Sequence, residues 1–302
     1  MINKFVVRTL ASSALFFSTT GIAPAASAAE TPTSVKTVRF VAFGDFGTGS
    51  KSQYDVARAI KKHCEKMGCD FALTLGDNIY NNGVRSVTSS LFQSHFEKPY
   101  ADLNMPFYMV LGNHDYRGNI QAQLDYTHRS KKWRMPAKYY TFRKGPVTFL
   151  GLDTNIPGNA RQNAFVKSVV EQHDTPWLLA FGHHPRKTYS AYKNTQSRAL
   201  KQLIDHTCGE AQFYLSGHEH DQQHLKAHCG TDYLIAGTGA GRRKNGRGKD
   251  TLYSGNQLGF AWFEITPKTL HFAFVSSKNQ ILYEHTEKLT PKTPAKNPAA
   301  VR

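Results

Sequence analysis

Short apolar runs, each followed by a polar turn that contains glycine, recur along the chain as far as His220. Runs that are apolar almost throughout are typical of strands buried on both faces of a sheet. The pattern therefore predicts five buried strands. They are Val38–Phe43, Phe71–Leu75, Pro106–Leu111, Trp177–Phe181 and Phe213–Leu215.

Three segments between these runs have apolar residues three or four positions apart, which is the spacing of one face of an α-helix. They are Ser52–Met67, Arg161–Gln172 and Ser197–Thr207. Gly68, directly after the first segment, is a typical C-terminal stop. The alternation of strands and helices predicts βαβ units and largely parallel pairing.

The pattern changes after His220, where four strand-like segments follow one another without a helix between them. Strands joined by short turns pair antiparallel. We therefore expect antiparallel pairing in this region, in a second sheet that faces the first. The four segments are Tyr233–Ala236, Phe260–Ile265, Thr269–Val275 and Gln280–His285.

Both ends of the chain have the patterns of segments that lie outside a folded domain. A positively charged start, the apolar run Leu10–Phe17 and the small residues Ala26-Ser27-Ala28 predict a cleaved signal peptide over residues 1–28. The run is too short to span a membrane, which takes about 20 apolar residues. Prolines and lysines over residues 290–302 predict a flexible basic tail. We therefore expect a periplasmic or secreted protein with no membrane insertion.

Composition narrows the class of protein but names no reaction. The hydrophobic fraction of 40% is that of a globular protein and excludes a disordered chain. Without the predicted signal peptide, 36 basic and 22 acidic residues leave a net charge of +14. Such a charge attracts anions, including phosphorylated substrates, acidic glycans and nucleic acids.

The four cysteines fit the oxidising compartment that a signal peptide implies. Three pairings are possible, and sequence spacing favours Cys64–Cys69 and Cys208–Cys229. Neither pair has the spacing of a zinc site. We therefore interpret all four as structural.

Five of the polar turns carry side chains that can bind a metal ion, and each follows a predicted strand. In open α/β sheets, ligands bind beyond the carboxyl ends of the strands. A single Gly-Asp is usually an ordinary turn, but the set of five predicts one shared metal site. The turns are Gly44-Asp45-Phe46-Gly47, Gly76-Asp77-Asn78-Ile79-Tyr80, Gly112-Asn113-His114-Asp115, Gly182-His183-His184-Pro185 and Gly217-His218-Glu219-His220.

The side chains of these turns also indicate which metals they would bind. A set of oxygen and imidazole ligands without thiolate argues against structural zinc and iron–sulfur clusters. There are enough ligands for two cations bridged by one carboxylate, an arrangement that can clamp both the attacking and the leaving oxygen at phosphorus. A tyrosine ligand, here Tyr80, favours a hard trivalent ion such as Fe(III).

The ordered motifs GD-x-G, GD-x-x-Y, GNH-D, GH-x-P and GH-x-H resemble the metallophosphoesterase signature. The tyrosine of the second motif is similar to that of the purple acid phosphatases, and the surrounding segments most resemble their small tartrate-resistant type. The resemblance runs from about Thr37 to Glu287. It implies an α/β fold, a four-layer αββα sandwich of the calcineurin-like metallophosphoesterase type, in one domain over residues 37–287.

The resemblance also implies a role for each site residue. Asp77 would bridge an Fe(III) ion and a divalent ion, which could be Fe(II), Zn(II) or Mn(II). His114 would orient the substrate phosphate and protonate the leaving alcohol, and Asp115 would orient His114. The Fe(III) ligands would be Asp45, Asp77, Tyr80 and His220, and the ligands of the divalent ion would include Asn113, His183 and His218.

The function implied by this resemblance is that of an exported acid phosphatase. It would hydrolyse monoesters of small molecules or phosphoproteins by attack of a metal-bound hydroxide, as a monomer without a specific nucleic-acid partner. A phosphodiesterase of the same superfamily is the alternative. A basic protein that only binds polyanions would leave the five strand-end motifs unexplained.

Two features depart from the family pattern or lie outside it. The small type has a further active-site histidine beyond the GH-x-P motif, and residues 186–197 contain none. His184, Tyr189 or Tyr192 could take its place. The basic loop, residues 242–249, could line the cleft or be a solvated surface. Its cationic residues are Arg242, Arg243, Lys244, Arg247 and Lys249.

Overall fold

A computed structural model describes residues 37–289. Two sheets of seven strands each form the body of this part of the chain. The strands are β1 Val38–Phe43, β2 Phe71–Thr74, β3 Phe107–Met109, β4 Trp133–Arg134, β5 Tyr140–Lys144, β6 Val147–Gly151, β7 Trp177–Phe181, β8 Phe213–Ser216, β9 Gln222–His228, β10 Thr231–Ala236, β11 Thr251–Gly255, β12 Gly259–Ile265, β13 Thr269–Ser276 and β14 Ile281–Lys288. The α-helices are α1 Lys51–Met67, α2 Ile120–Asp125, α3 Ala160–Gln172 and α4 Arg198–Asp205.

The first sheet has the strand order β14-β13-β12-β1-β2-β3-β4, and the second has the order β11-β9-β10-β8-β7-β6-β5. Strands β1 to β4 pair parallel, as do β6, β7 and β8. These pairs confirm the parallel pairing predicted from alternating strands and helices.

The expectation that the four predicted strands after His220 form the second sheet is right for Tyr233–Ala236, which is β10, and wrong for the other three. Strands β12, β13 and β14 extend the first sheet antiparallel, with Val38 of β1 opposite Ile265 of β12. Strand β10 lies in the second sheet, where it pairs antiparallel with β9, as expected, and parallel with β8. The apolar β1 is buried on both faces, and its free edge needs a hydrogen-bonding partner, which β12 supplies. The sequence pattern predicted that these segments are strands, but it did not predict at which sheet edge each strand pairs.

The core between the two sheets is rich in aromatic rings. Phe40 stacks between Phe71 and Phe263 of its own sheet, with ring centroids 5.1 and 4.6 Å away. Its ring edge meets Phe149 of the second sheet at 5.3 Å. Aromatic pairs of this kind are worth about 1 kcal/mol beyond the area that they bury. Phe40 therefore helps to hold the two sheets face to face.

Helices cover the outer face of each sheet. Successive strand residues point to opposite faces, so Val41 joins the outer cluster under α1 while Phe40 lies between the sheets. On the other side, Leu200 and Leu203 of α4 pack on Leu178 of the second sheet. The order helix, sheet, sheet, helix confirms the predicted αββα sandwich.

Both expected disulfides are present, Cys64–Cys69 at the end of α1 and Cys208–Cys229 between the turns after α4 and β9. Within residues 37–289, no helix is both long and apolar enough to cross a membrane. The predicted signal peptide over residues 1–28 and the predicted tail over residues 290–302 lie outside the described residues.

The two sheets are joined by backbone hydrogen bonds at one edge. Gly44, which follows β1 of the first sheet, donates its N–H to the carbonyl of Ala236 in β10 of the second, at 2.8 Å. The Gly44 carbonyl accepts from Gly239 at 3.1 Å. The carboxyl ends of β1, β2, β3, β7 and β8 therefore meet at this edge, which carries all five polar turns.

Candidate metal centre

Three of the polar residues are held in a left-handed backbone conformation. The φ angles are 58° at Asp45, 54° at Asp77 and 68° at His218. Such a conformation costs a residue with a side chain about 1 kcal/mol or more, and residues held in it cluster at active sites. It turns these side chains back towards the cleft immediately after their strands end.

Glycines in the turns allow the backbones to approach the site. A Cβ atom on Gly76 would lie 2.6 Å from Nδ1 of His183, and one on Gly217 would lie 2.5 Å from Oδ2 of Asp45. Contacts this short are not tolerated, so any other residue would push the neighbouring side chain away. Gly76 and Gly217, which precede Asp77 and His218, are therefore required by close approach.

One group of side chains surrounds the Tyr80 phenol. Its oxygen lies 2.8 Å from Oδ2 of Asp77 and 3.2 Å from Oδ1 of Asp45. Nε2 of His220 lies 3.3 Å from the same phenol and 3.4 Å from Asp45. Two carboxylates, a phenol and an imidazole thus converge within hydrogen-bond range of one another.

A second group surrounds the His183 imidazole. Its Nε2 lies 3.0 Å from Oδ1 of Asn113, 3.2 Å from Nδ1 of His218 and 3.5 Å from Oδ1 of Asp77. Asp77 therefore directs one carboxylate oxygen to each group. This is the position that a bridging ligand between two cations would take.

The hydrogen bond on the far side of His183 determines which of its nitrogens faces the site. Nδ1 lies 2.8 Å from the carbonyl oxygen of Leu75. A carbonyl only accepts, so Nδ1 carries the proton and Nε2 presents its lone pair to the cleft. Burial also lowers the pKa of His183 well below its ordinary value. The neutral ring is the form that binds a metal ion.

Burial has the same effect on the other two histidines of the cluster. It lowers the pKa of His218 to about 2, with the nearby His183 as the next cause. It lowers the pKa of His220 to about 4, with the charge of Arg243 as the next cause. Both rings are therefore neutral at neutral and mildly acidic pH.

Burial also makes the acidic groups costly to ionise. It raises the pKa of Asp45 well above its ordinary value, and the neighbouring Asp77 adds to the shift. The pKa of Tyr80 is raised by burial first and then by the charges of Asp45 and Asp77. Bound cations reverse this electrostatic balance. Converging carboxylates, a phenol and imidazole lone pairs therefore fit two metal ions.

His114 lies beside the Tyr80 group with one nitrogen directed into the cleft. Its Nδ1 is 2.6 Å from the carbonyl of Asn81, so this nitrogen donates. Nε2 is 3.9 Å from Oδ2 of Asp77, and the ring centroid is 4.4 Å from that of Tyr80. A substrate phosphate at the metal pair would therefore lie within reach of Nε2.

Asp115 is placed differently from the expectation that it orients the His114 ring. Its buried carboxylate accepts hydrogen bonds from Gly112 N, Asn78 N and Ile79 N, at 2.8 to 3.2 Å. In the described part of the chain, the His114 ring contacts Asn81 instead. Asp115 thus joins two of the polar turns and can affect His114 only through the backbone.

His184 and Thr154 belong to the cluster, and Thr154 was missed in the sequence. A ring nitrogen of His184 lies within 4.8 Å of those of His183 and His218. Its Nδ1 lies 2.8 Å from Oγ1 of Thr154, which follows β6. A sixth apolar run that ends in Asp-Thr-Asn was the signal. Tyr189 bonds to Asp250 instead of the cluster.

The structure therefore brings all seven predicted metal ligands into one cluster, with His114 beside it. The profile of the family described as Calcineurin-like phosphoesterase matches residues 38–222. Tartrate-resistant acid phosphatase type 5 of pig (Sus scrofa) is 30% identical over 291 residues, which cover 82% of this chain and 86% of the pig protein. The mouse (Mus musculus) protein of the same name is 31% identical over 294 residues, with 82% and 89% covered.

Two solved structures share the fold. Purple acid phosphatase PPD1 of yellow lupin has a TM-score of 0.67 at 16% identity and covers 83% of this chain and 53% of the lupin chain. GAP50, described as the anchor in the inner membrane complex of Plasmodium, has a TM-score of 0.73 at 23% identity, with 85% and 90% covered. At these identities the likeness shows the fold alone.

The family of the chain follows from the profile match and the sequence relatives. The profile match covers more than half of the chain, and the pig and mouse proteins are 30% and 31% identical to it. These findings show that this chain belongs to the purple acid phosphatase family of calcineurin-like phosphoesterases, which are metal-dependent phosphatases.

Proposed function

We propose that the protein is an exported acid phosphatase that hydrolyses phosphate monoesters at a dinuclear centre of Fe(III) and a divalent ion. The observation that carries this proposal is the placement of Asp77. Its Oδ2 faces the Tyr80 group and its Oδ1 faces the His183 group. One carboxylate shared by two ligand groups is the arrangement expected for two neighbouring cations.

The ligand sets support the proposed division of metals. Asp45 and Tyr80 offer hard oxygen donors suited to Fe(III), His220 adds one imidazole nitrogen, and Asp77 is shared. Asn113, His183 and His218 offer an amide oxygen and two imidazoles, which suit Fe(II), Zn(II) or Mn(II). When bound, the two cations would acidify water and neutralise charge on the phosphoryl oxygens.

The chain's own residues would position the substrate and move a proton. The phosphoryl group would lie between the two ligand groups, next to Nε2 of His114. With Nδ1 held by the Asn81 carbonyl, a protonated Nε2 can donate to the leaving oxygen. The backbone N–H of His114 donates to Oδ1 of Asp77 at 2.9 Å. This bond fixes the proton donor relative to the bridging carboxylate.

Export is supported by features outside the site. The N-terminal pattern is that of a signal peptide. The disulfides Cys64–Cys69 and Cys208–Cys229 suit an oxidising compartment such as a periplasm or the exterior of a cell. Expression of the full chain with a C-terminal tag, followed by N-terminal sequencing of the exported form, tests this. A protein retained in the cytosol with residues 1–28 intact would contradict export.

Turnover of matched aryl esters tests the reaction. Purified protein refilled with iron and zinc should hydrolyse 4-nitrophenyl phosphate faster than bis(4-nitrophenyl) phosphate, with an optimum at acidic pH. Chelation should abolish turnover, and the two metals together should restore it. Faster turnover of the diester would support the phosphodiesterase instead. Turnover that survives complete metal removal would contradict both.

A further inference from the structure

The basic loop, residues 242–249, is tied to the metal centre. The N–H of Arg243 donates to the carbonyl of His220 at 2.8 Å, and the Arg243 carbonyl accepts from Asn256 at 3.2 Å. Farther along, Gly246 N donates to Oγ of Ser190 at 2.9 Å. These bonds fix the backbone of the loop beside the last metal-ligand turn.

The cationic residues of this loop divide into two kinds. Arg243 is half-buried and turned inwards, whereas the other four are exposed. The exposed four are Arg242, Lys244, Arg247 and Lys249. The loop is therefore not uniformly solvated, and one of its charges is directed at the cleft.

Arg243 lies against Tyr192, which in turn lies against a predicted metal ligand. The guanidinium carbon is 5.2 Å from the centroid of the Tyr192 ring. That ring stacks on the His218 imidazole at 4.4 Å with an interplanar angle of 25°. Nη1 of Arg243 also donates to the carbonyl of His218 at 3.4 Å. The Arg243 guanidinium, the Tyr192 ring and the His218 imidazole are thus in contact as one layer of side chains beside the metal centre.

A hydrogen bond to a buried carboxylate fixes the position of Tyr192. The N–H of Tyr192 donates to Oε1 of Glu219 at 2.8 Å. Glu219 is fully buried and lies between the ligand residues His218 and His220 in sequence. The metal-ligand turn therefore holds the Tyr192 ring in place, and the ring supports the Arg243 guanidinium by a cation–π contact.

Arg243 makes no ion pair with a carboxylate within residues 37–289, unlike Arg39 with Glu264 and Arg186 with Asp205, and its charge reaches the buried Glu219 and Asp221 only at longer range. A half-buried guanidinium without a partner loses hydration and gains most from binding an anion. The carboxylates of the centre would be matched by the two metal ions. The Arg243 charge then remains available to a bound substrate.

We propose that Arg243 and Tyr192 form a subsite for a second anionic group, carried by the leaving group of the substrate. This inference rests on the proposed phosphatase function. The Arg243 guanidinium packs on the Tyr192 ring, which stacks on the ligand residue His218, and Arg243 is not itself one of the predicted ligands. The scissile phosphate belongs at the metal pair, so the subsite faces the rest of the substrate. The preferred substrates are phosphomonoesters whose leaving group carries its own carboxylate or phosphate.

The reaction itself is ordinary phosphomonoester hydrolysis. The oxygen of water bonds to phosphorus, and the bond from phosphorus to the leaving oxygen breaks. The electron pair of that bond stays with the leaving oxygen, which takes a proton from Nε2 of His114; a proton of the attacking water is released to solvent. Arg243 contacts the anionic group of the departing alcohol and holds it in position.

A pair of esters that differ only in one charge tests the subsite. Phenyl phosphate and 3-carboxyphenyl phosphate have the same scissile bond, and only the second carries a leaving-group carboxylate. We expect Arg243→Gln to reduce the ratio of their kcat/KM values, carboxyphenyl over phenyl, about tenfold, since a charge-assisted hydrogen bond is lost. Arg243→Lys should retain part of the ratio.

The matched control is Arg242→Gln, which removes the same charge from an exposed neighbour and should leave the ratio unchanged. An equal loss for both esters in Arg243→Gln would overturn the subsite, and so would an equal change of the ratio in Arg242→Gln. Thermal unfolding of each variant checks its folding. If Arg243→Gln does not fold, the same ratio of kcat/KM values is measured for Tyr192→Leu instead. A lowered ratio in that variant supports the subsite, and an unchanged ratio overturns it.

The outcome for the metal-loaded wild type separates the two proposals. A wild type that hydrolyses neither ester contradicts the proposed function and the subsite together. A wild type that hydrolyses both esters, with a ratio that Arg243→Gln leaves unchanged, contradicts the subsite alone.

Discussion

The two halves of the metal centre differ in the types of ligand atom that they offer. The Tyr80 half, with Asp45 and His220, consists mainly of oxygen donors, and its phenol lies 2.8 Å from Asp77. The His183 half, with Asn113 and His218, has two imidazoles whose facing nitrogens are 3.2 Å apart. Oxygen donors with negative charge favour hard ions, and neutral imidazoles favour borderline ones. The difference supports the proposal that the two halves hold different metals, which would then be released under different conditions.

The halves also differ in how they are held in place. His183 is fully buried, and its outer nitrogen is bonded to the Leu75 carbonyl at 2.8 Å. Tyr80 and His220 have partly exposed side chains whose polar contacts lie mainly within the cluster. The His183 half is thus held by a hydrogen bond from outside the cluster, whereas Tyr80 and His220 are held mainly by contacts within it.

Replacing Asp77 by Asn should affect both halves at once. The substitution removes the one carboxylate that faces both groups, so both ions should be lost. We expect kcat/KM for aryl phosphate to fall about a thousandfold or more, since two-metal stabilisation is worth several kcal/mol. Elemental analysis checks the metal content. Asp102→Asn, at an exposed position, is the control that should keep both ions, and two ions retained by Asp77→Asn would contradict the shared bridge.

Alanine at His183 and at His220 should separate the two halves. His183→Ala removes a ligand of the divalent ion, so we expect iron to be retained and zinc to be lost. His220→Ala should weaken iron binding instead. Each should reduce kcat/KM about a hundredfold, the size of effect seen when one stabilising contact to the transition state is removed. Metal content after dialysis measures this, and identical metal loss in both variants would show that the halves are not distinct.

Phenylalanine at Tyr80 tests the hard-ion half alone. Because a phenolate bound to Fe(III) absorbs visible light, Tyr80→Phe should abolish the colour of the protein. Three other predicted ligands remain, so we expect a fall in kcat/KM of only about tenfold, or roughly 1.4 kcal/mol. Absorption spectra of the iron-loaded wild type and variant provide the measurement. Tyr283→Phe, a tyrosine outside the site, should leave the spectrum unchanged.

Replacing Asp115 by Asn tests the connection between the halves. The carboxylate accepts from the turn that carries Tyr80, through Asn78 and Ile79, and from Gly112 beside Asn113. An amide there would direct an NH₂ group at N–H donors, at a cost of about 1–3 kcal/mol. We expect a fall in Tm of about 2–4 °C per kcal/mol, with activity reduced only severalfold. Full activity loss without a change in Tm would instead point to direct action on His114.

The sequence was informative where each signal is local. Helix α1 begins one residue before the predicted Ser52 and ends at the predicted Met67, and β7 has the predicted bounds. The five strand-end motifs converge because parallel strands of both sheets end at one edge. The geometry of such turns depends on glycine and on ligand-type residues, and both are visible in the sequence.

The features that sequence reasoning missed depend on contacts between distant segments. The pairing of β12 with β1 is set by a free sheet edge that no local pattern reveals. Asp115 was assigned to its sequence neighbour His114, although its donors come largely from a turn 36 and 37 residues away. The inward direction of Arg243 depends on Tyr192, which lies on another loop. Charge patterns alone could not distinguish it from its exposed neighbours.

The number and separation of metal ions in crystals of the purified protein test the central claim most directly. Anomalous X-ray scattering at the iron and zinc edges identifies and places each ion. We predict two ions about 3.5–4 Å apart, with iron bound to Tyr80, the second metal bound to His183, and Asp77 bound to both. A single ion, or ions bound away from these side chains, would contradict the account.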